Sequence, residues 1–388
     1  MNLNIGFIGL GNMGLPMALN LRKAGHTVYG KNRSPGKERQ FAEQGGKTGL
    51  AVSRLAAEMD VVITCLPMPS DVEDVYFAPD GLLASAREGL LLIDCSTVSP
   101  ELSRRCFAEA ERRGADFLDA PVSGGTTGAA AASLSVMVGG KRQAFERAKP
   151  VFEAVGKQIY YVGEAGSGSA VKLINQLMVG IHSQAVGEAF ALGRRLGVDP
   201  DLLYAILTQS FAQSRMLERH YSQFISKNRY EPGFALKLLG KDLNLAAETA
   251  AAFGVGLPAG GRVQAILNRA AASGYGDLDM AGLYAYQLAM DEKRREAGPL
   301  KHFAVFLPML DAEKSALYRE EHLRFLDERR ADGMLFANGR FADGAGGLVI
   351  YRGRSYEEVE QWVKRDPYVV KGARRYEIHE WEIVPADN

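Results

Sequence analysis

The chain has 388 residues, 47% of them hydrophobic and 24% charged, a make-up typical of a globular protein of two or three domains. Its 46 basic and 46 acidic side chains cancel, so no whole-chain field draws it to nucleic acid or to a membrane surface, and neither is expected as a partner. No apolar run reaches the ~18 residues of a spanning helix. The three cysteines, Cys65, Cys95 and Cys106, are too few for a disulfide framework and have no CxxC or His-rich company. A cytoplasmic location and no bound metal are therefore expected.

The opening MNLNIGFIGLGNMG has no basic leader before its apolar stretch and runs straight into a glycine-rich turn, so it reads as a strand. From there to about residue 164, short apolar runs alternate with helical stretches. They include Ile5–Ile8, Val61–Thr64, Leu91–Ile93 and Val136–Val138. Each is nearly continuously apolar, as parallel strands covered on both faces are, and the alternation predicts a doubly wound Rossmann sheet. From Ala170 to Leu196 there is no proline and no strand signal, which predicts one helix roughly 40 Å long at 1.5 Å per residue. A second helix opens at Asp199-Pro200 and another spans about Phe234 to Phe253, ending at Gly254. Residues 165–293 are thus expected to be all-helical.

Gly9-Leu10-Gly11-Asn12-Met13-Gly14 matches G-x-G-x-x-G between a strand and a helix, the context a dinucleotide turn requires. A second strand, Thr27 to Lys31, ends at Asn32-Arg33-Ser34. NAD enzymes usually place an acid there for the ribose 2′-hydroxyl. Arg33 instead suits a 2′-phosphate, so NADP is the expected cofactor, with NAD left open.

Three further blocks carry chemistry. Asp94-Cys95-Ser96-Thr97 and Asp119-Ala120-Pro121-Val122-Ser123-Gly124-Gly125 each close a strand, which places them along one crevice. Gly166 to Gln176 opens the long helix and contains Lys172, a candidate proton donor and acceptor if burial lowers its pKa. Asn175, three residues on, shares its face. Ser123, Gly124 and Gly125 offer a hydroxyl and open backbone N–H groups to a carboxylate.

In this order the blocks resemble the β-hydroxyacid dehydrogenase family, which includes 3-hydroxyisobutyrate dehydrogenase, tartronate semialdehyde reductase and glyoxylate/succinic semialdehyde reductase. The likeness runs from residue 1 to about 290 and includes Phe234 with Lys241 and Asp242. It implies Lys172 as the acid/base and Asn175 and Ser123–Gly125 as substrate ligands. It further implies that Thr97, Lys241, and Leu66 and Pro67 after the fourth strand contact the cofactor. The substrate would be a small hydroxy acid or semialdehyde, and the protein a homodimer or homotetramer. Gln176 departs from the family's second asparagine, as does the loop Ala132-Ser133-Leu134, which leaves the particular acid open. An NADPH-binding regulator with an inactive site is the alternative.

Asp291 to Pro299 is charged and ends in Gly-Pro, which reads as a linker, with its core at 294–300. Residues 301–388 then alternate strands (His302–Leu307, Gly347–Tyr351, about Arg375–Ile383) with helices (Ser315–Arg330, and one opened by Ser355 and Glu358), with a further strand near Leu335. That order suits a small ferredoxin-like α+β domain. Glu321-His322-Leu323-Arg324-Phe325-Leu326, Gly339-Arg340-Phe341 and Asp366-Pro367-Tyr368 resemble the YCII-related domain. That resemblance implies His322 and Asp366 as a second site, and so a bifunctional protein.

Overall fold

The computed structural model describes residues 2–296 and 298–384. Ala297, in the expected linker, and residues 385–388, at the end of the expected third domain, lie outside them. The chain forms two compact units, Met1–Leu288 and Ala289–Asn388.

In the first unit the strands are β1 (Asn4–Ile8), β2 (Thr27–Lys31), β3 (Val61–Thr64), β4 (Leu91–Asp94), β5 (Asp116–Asp119), β6 (Val122–Ser123), β7 (Leu134–Gly140) and β8 (Gly156–Gly163). They form one sheet in the order β2-β1-β3-β4-β5-β7-β6, with β8 added beside β7. Alternate residues of each strand point to opposite faces. Phe7, Ile63 and Ile93 join one buried cluster, and Ile8, Val62 and Leu92 join the other. Helices cover both faces, which is why these strands carry no polar alternation.

The parallel expectation holds for β1 to β5 but fails at β7. That strand, which contains Val136–Val138, runs antiparallel to β5 and β6 and is parallel only to β8. From Asp119 to Ser123 the chain keeps its direction along β7, and the reversal lies between Ser123 and Leu134, across the short helix Gly125–Ala130. Leu66 and Pro67 follow the third strand, not the fourth.

The long helix spans Ser167–Arg195 and packs against the helices Arg215–Gln223, Leu236–Ala252 and Pro258–Ala270. Phe190, Tyr221 and Tyr204 stack in series, their ring centroids 4.9 and 4.5 Å apart. The helix Leu283–Glu296 continues through most of the charged run expected as linker.

The second unit contains β9 (Lys301–Pro308), β10 (Leu335–Arg340), β11 (Gly346–Gly353) and β12 (Glu377–Trp381), all antiparallel in the order β10-β11-β9-β12. With two helical connections this is the ferredoxin-like arrangement. The expected helix Ser315–Arg330 is divided at Tyr318 into Ala312–Leu317 and Arg319–Ala331. Ser355 caps the next helix through the Glu358 N–H. The Glu358 carboxylate reaches back to the N–H of Arg354 rather than that of Ser355, so the expected capping box is displaced by one residue.

Candidate active site

The turn after β1 is shaped by its glycines. Gly9 has φ +101°, and a Cβ there would fall 2.3 Å from the Cys65 carbonyl oxygen; one on Gly14 would fall 1.8 Å from the Gly9 oxygen. A Cβ on Gly11 would meet nothing within 4 Å. Side chains are thus forbidden on the protein side of the turn and absent on its open side, which fits a backbone cradle for a pyrophosphate. The Asn32 side chain accepts from the Leu10 N–H at 2.9 Å and donates to Ser34 Oγ at 2.9 Å, tying the end of β2 to this turn. Arg33 extends from the same segment with its side chain 88% exposed and its guanidinium 3.2 Å from Asp71. An exposed pair of this kind holds it weakly.

The loops after β3 and β4 are joined from beneath. Buried Asp94 accepts from Thr64 Oγ1 (2.7 Å) and Ser96 Oγ (2.6 Å), while Ser96 Oγ accepts the Leu66 N–H at 2.9 Å. Burial raises the Asp94 pKa, and those hydrogen bonds oppose the shift. The loop holding Leu66 and Pro67 is thereby tied to the one holding Thr97, and Leu66 borders the first turn, where a Cβ on Gly9 would fall 3.1 Å from its side chain.

Asp119 fixes the long helix to the sheet. Its two oxygens accept the N–H groups of Gly166 and Ser169, each at 2.8 Å. A carboxylate here completes two of the unpaired donors of a helix start. The contact is close, since a Cβ on Gly168 would fall 2.3 Å from the Met137 oxygen. Burial nonetheless raises the Asp119 pKa to about 6. Ser123, Gly124 and Gly125 follow from the same strand end; the two glycines are exposed and have positive φ.

Lys172 is 8% exposed. Its Nζ donates to Gln176 Oε1 at 3.0 Å, and Asn175 Nδ2 donates to the same oxygen at 3.0 Å. Gln176 Nε2 donates to Asp242 Oδ2 at 2.6 Å; Lys241 Nζ lies 2.7 Å from Asp242 Oδ1 and donates to the Thr97 carbonyl at 2.7 Å. Burial is the largest cause lowering the Lys172 pKa to about 8; Lys241 lowers it further, while Asp242 and Cys65 oppose them. Cys65, whose charge acts on this amine, lies against Gly9 of the dinucleotide turn.

Four of the expected residues, Lys172, Asn175, Lys241 and Thr97, thus form one connected group. Leu10, Asn32 and Ser34 form a second. Gln176 and Asp242 link the first group together, yet neither stands among the expected site residues. The available signal was spacing: residue i+4 meets residue i on a helix face at least as well as i+3. His322 and Asp366 lie in the other unit. There His322 Nδ1 is 2.8 and 2.9 Å from the two Asp366 oxygens, and the imidazole stacks on Tyr368 at 4.0 Å. Asp366 also accepts the Tyr368 N–H, capping the short helix Pro367–Val370.

Such a turn beside a buried lysine defines an NAD(P)-dependent oxidoreductase acting on a CH–OH group. Residues 4–163 match the model for the NAD binding domain of 6-phosphogluconate dehydrogenase, and residues 166–287 match that for the NAD-binding domain of NADP-dependent 3-hydroxyisobutyrate dehydrogenase. Residues 301–382 match the YCII-related domain. The chain belongs to the β-hydroxyacid dehydrogenases of 3-hydroxyisobutyrate dehydrogenase type, with a YCII-related domain following. It is 38% identical over 282 residues to 2-(hydroxymethyl)glutarate dehydrogenase of Eubacterium barkeri, covering 73% of this chain and 94% of that protein. It is also 38% identical over 282 residues to 2-hydroxy-3-oxopropionate reductase of Escherichia coli, covering 72% and 96%. Among solved structures, Mycobacterium tuberculosis 3-hydroxyisobutyrate dehydrogenase with L-serine superposes with a TM-score of 0.68 at 37% identity, over 74% of this chain and 99% of that one.

Proposed function

We propose that this hydroxy-acid dehydrogenase interconverts a small β-hydroxy acid and its semialdehyde or keto acid, with NADP preferred over NAD and Lys172 as the acid/base. The single observation that carries this reading is the buried Lys172 amine, held at about 8 beside the dinucleotide turn. At pH 7 a lysine of ordinary pKa is neutral about once in 2,500, and this one about once in ten. It can therefore take the hydroxyl proton in oxidation or return it in reduction. The cofactor, when bound, exchanges hydride at its nicotinamide ring. Gly9, Leu10, Gly11, Asn12, Met13 and Gly14 would cradle its pyrophosphate, and Asn32, Arg33 and Ser34 its 2′-phosphate. Leu66, Pro67, Thr97 and Lys241 would line its path. Ser123, Gly124, Gly125 and Asn175 would hold the substrate carboxylate and hydroxyl. Arg33 supports NADP because its guanidinium is exposed and only weakly paired.

A panel of small semialdehydes and hydroxy acids, assayed with NADPH and with NADH, tests this reading. Turnover of a three- to five-carbon acid with NADPH favoured is expected. Tight NADPH binding with no consumption across the panel would favour the regulator instead.

We further propose a homodimer or homotetramer. Helix Pro200–Thr208 buries none of its residues, and Leu192, Leu196, Leu202 and Ile206 are all more than half exposed. An apolar stripe of that kind is typical of a covered interface. Light scattering should give a multiple of the 42.1 kDa chain mass. A cytoplasmic setting agrees with three free thiols.

The His322–Asp366 contact supports a second reading, separate chemistry in the YCII-related unit. A carboxylate at Nδ1 selects the tautomer with the proton there, which leaves Nε2 as the ring's acceptor. Loss on His322→Ala of a reaction that survives Lys172→Met would establish it.

A further inference from the structure

The Lys172 helix carries a contact built on the chain's own departure from its family. Gln176, one turn beyond Lys172, is buried, and three polar side chains around it, Lys172, Asn175 and Asp242, hydrogen-bond to its amide. The amide can be oriented in only one way. Two donors, Lys172 Nζ and Asn175 Nδ2, face Oε1, and a carboxylate oxygen of Asp242 faces Nε2. Asp242 is held in turn by Lys241, and Lys241 by the Thr97 carbonyl. An asparagine at 176 would be one methylene shorter, and its amide would start further from Asp242 on the facing helix.

Resting on the reading of Lys172 above, we propose that Gln176, backed by Asp242, is a positioning residue of the reaction: it aims the Lys172 amine and separates it from the Asp242 carboxylate by one neutral side chain. A carboxylate in direct contact would hold the amine as ammonium and leave it no lone pair. With the amide between them, the amine donates one N–H to Oε1 and keeps its remaining valences for the substrate oxygen. The titratable groups acting on the amine are Asp242 and Lys241 from the helix Leu236–Ala252 and Cys65 from the end of β3. Asp242 draws the proton on, Lys241 drives it off, and the Cys65 thiol, itself pushed up to about 12, is neutral over the working range.

The test uses the full chain with NADP+ bound and two readouts. One is the pH titration of the Lys172 side-chain resonance in lysine-labelled protein, assigned by its loss in Lys172→Met. The other is kcat and KM for oxidation of the hydroxy acid turned over fastest in the panel above, between about pH 6 and 10, a window around the ordinary histidine-to-lysine range. Asp242→Asn removes the charge that favours ammonium, and Gln176→Met removes the acceptor that stabilises it, so both should lower the Lys172 midpoint, Asp242→Asn by about one pH unit. Gln176→Met should also lower kcat about tenfold or more, with KM changed less than about threefold. Simple loosening of the helix would do the opposite: water would enter and the midpoint would rise toward the ordinary lysine value. A midpoint that stays put or rises in both variants overturns the proposal, whatever happens to the rate. If Lys172→Met itself keeps near-native turnover, it is the acid/base reading that falls.

Discussion

The two units each bury a nitrogen base beside a carboxylate, but they separate the partners differently. In the YCII-related unit Asp366 meets His322 directly, through both oxygens. In the dehydrogenase unit an amide stands between Lys172 and Asp242. Direct contact fixes a tautomer and an orientation. Contact at one remove leaves a lysine whose charge is decided mainly by burial, and so one that can change charge near neutrality. A nitrogen base and a carboxylate thus meet directly in one unit and through one intervening amide in the other.

The largest effect should come from removing the amine. Lys172→Met is expected to lower kcat by about a thousandfold, within the usual range for a general acid/base, while NADPH binding followed by fluorescence stays unchanged. Arg33→Ala should raise the KM for NADPH about tenfold to a hundredfold, the scale of a charge-assisted phosphate contact, and leave NADH kinetics as they were. Equal effects on both cofactors would assign Arg33 to the fold of the loop. His322→Ala should cost the YCII-related unit about 1.5–3 kcal/mol by leaving buried Asp366 without its partner, seen in denaturant melts, with hydride transfer in the other unit unaffected. A parallel loss of NADPH turnover would contradict the separation drawn between the sites.

Much of this architecture is legible in the residues themselves. The nearly continuous apolar runs of β1, β3 and β4 announce strands covered on both faces, and Gly9 and Gly14 each occupy a position whose steric demand the structure bears out. What was not legible depended on contacts distant in the chain. The two-residue strand Val122–Ser123 has too little length to show a pattern, so the antiparallel turn of β7 could not be seen. The run Asp291–Glu296 reads as linker by charge, although its Glu, Lys and Arg residues are good helix formers and it continues a helix. The break at Tyr318 carries no glycine or proline to mark it. At the site, Lys172 stood out by motif, but Gln176 looked like a simple departure. Its role depends on Asp242, brought in by a helix that begins sixty residues further along.

Lys172 is expected to change charge close to neutrality, and the pH dependence of kcat in both directions tests this most directly. With Lys172 as the proposed acid/base, alcohol oxidation would use the neutral amine, so its rate should climb with pH and level off above about 8; carbonyl reduction would use the ammonium, so its rate should be full below about 8 and fall above it. Two limbs crossing near that value, both lost in Lys172→Met, are the predicted result. Limbs near the ordinary lysine value of about 10.4, or a flat profile across the range, would contradict it.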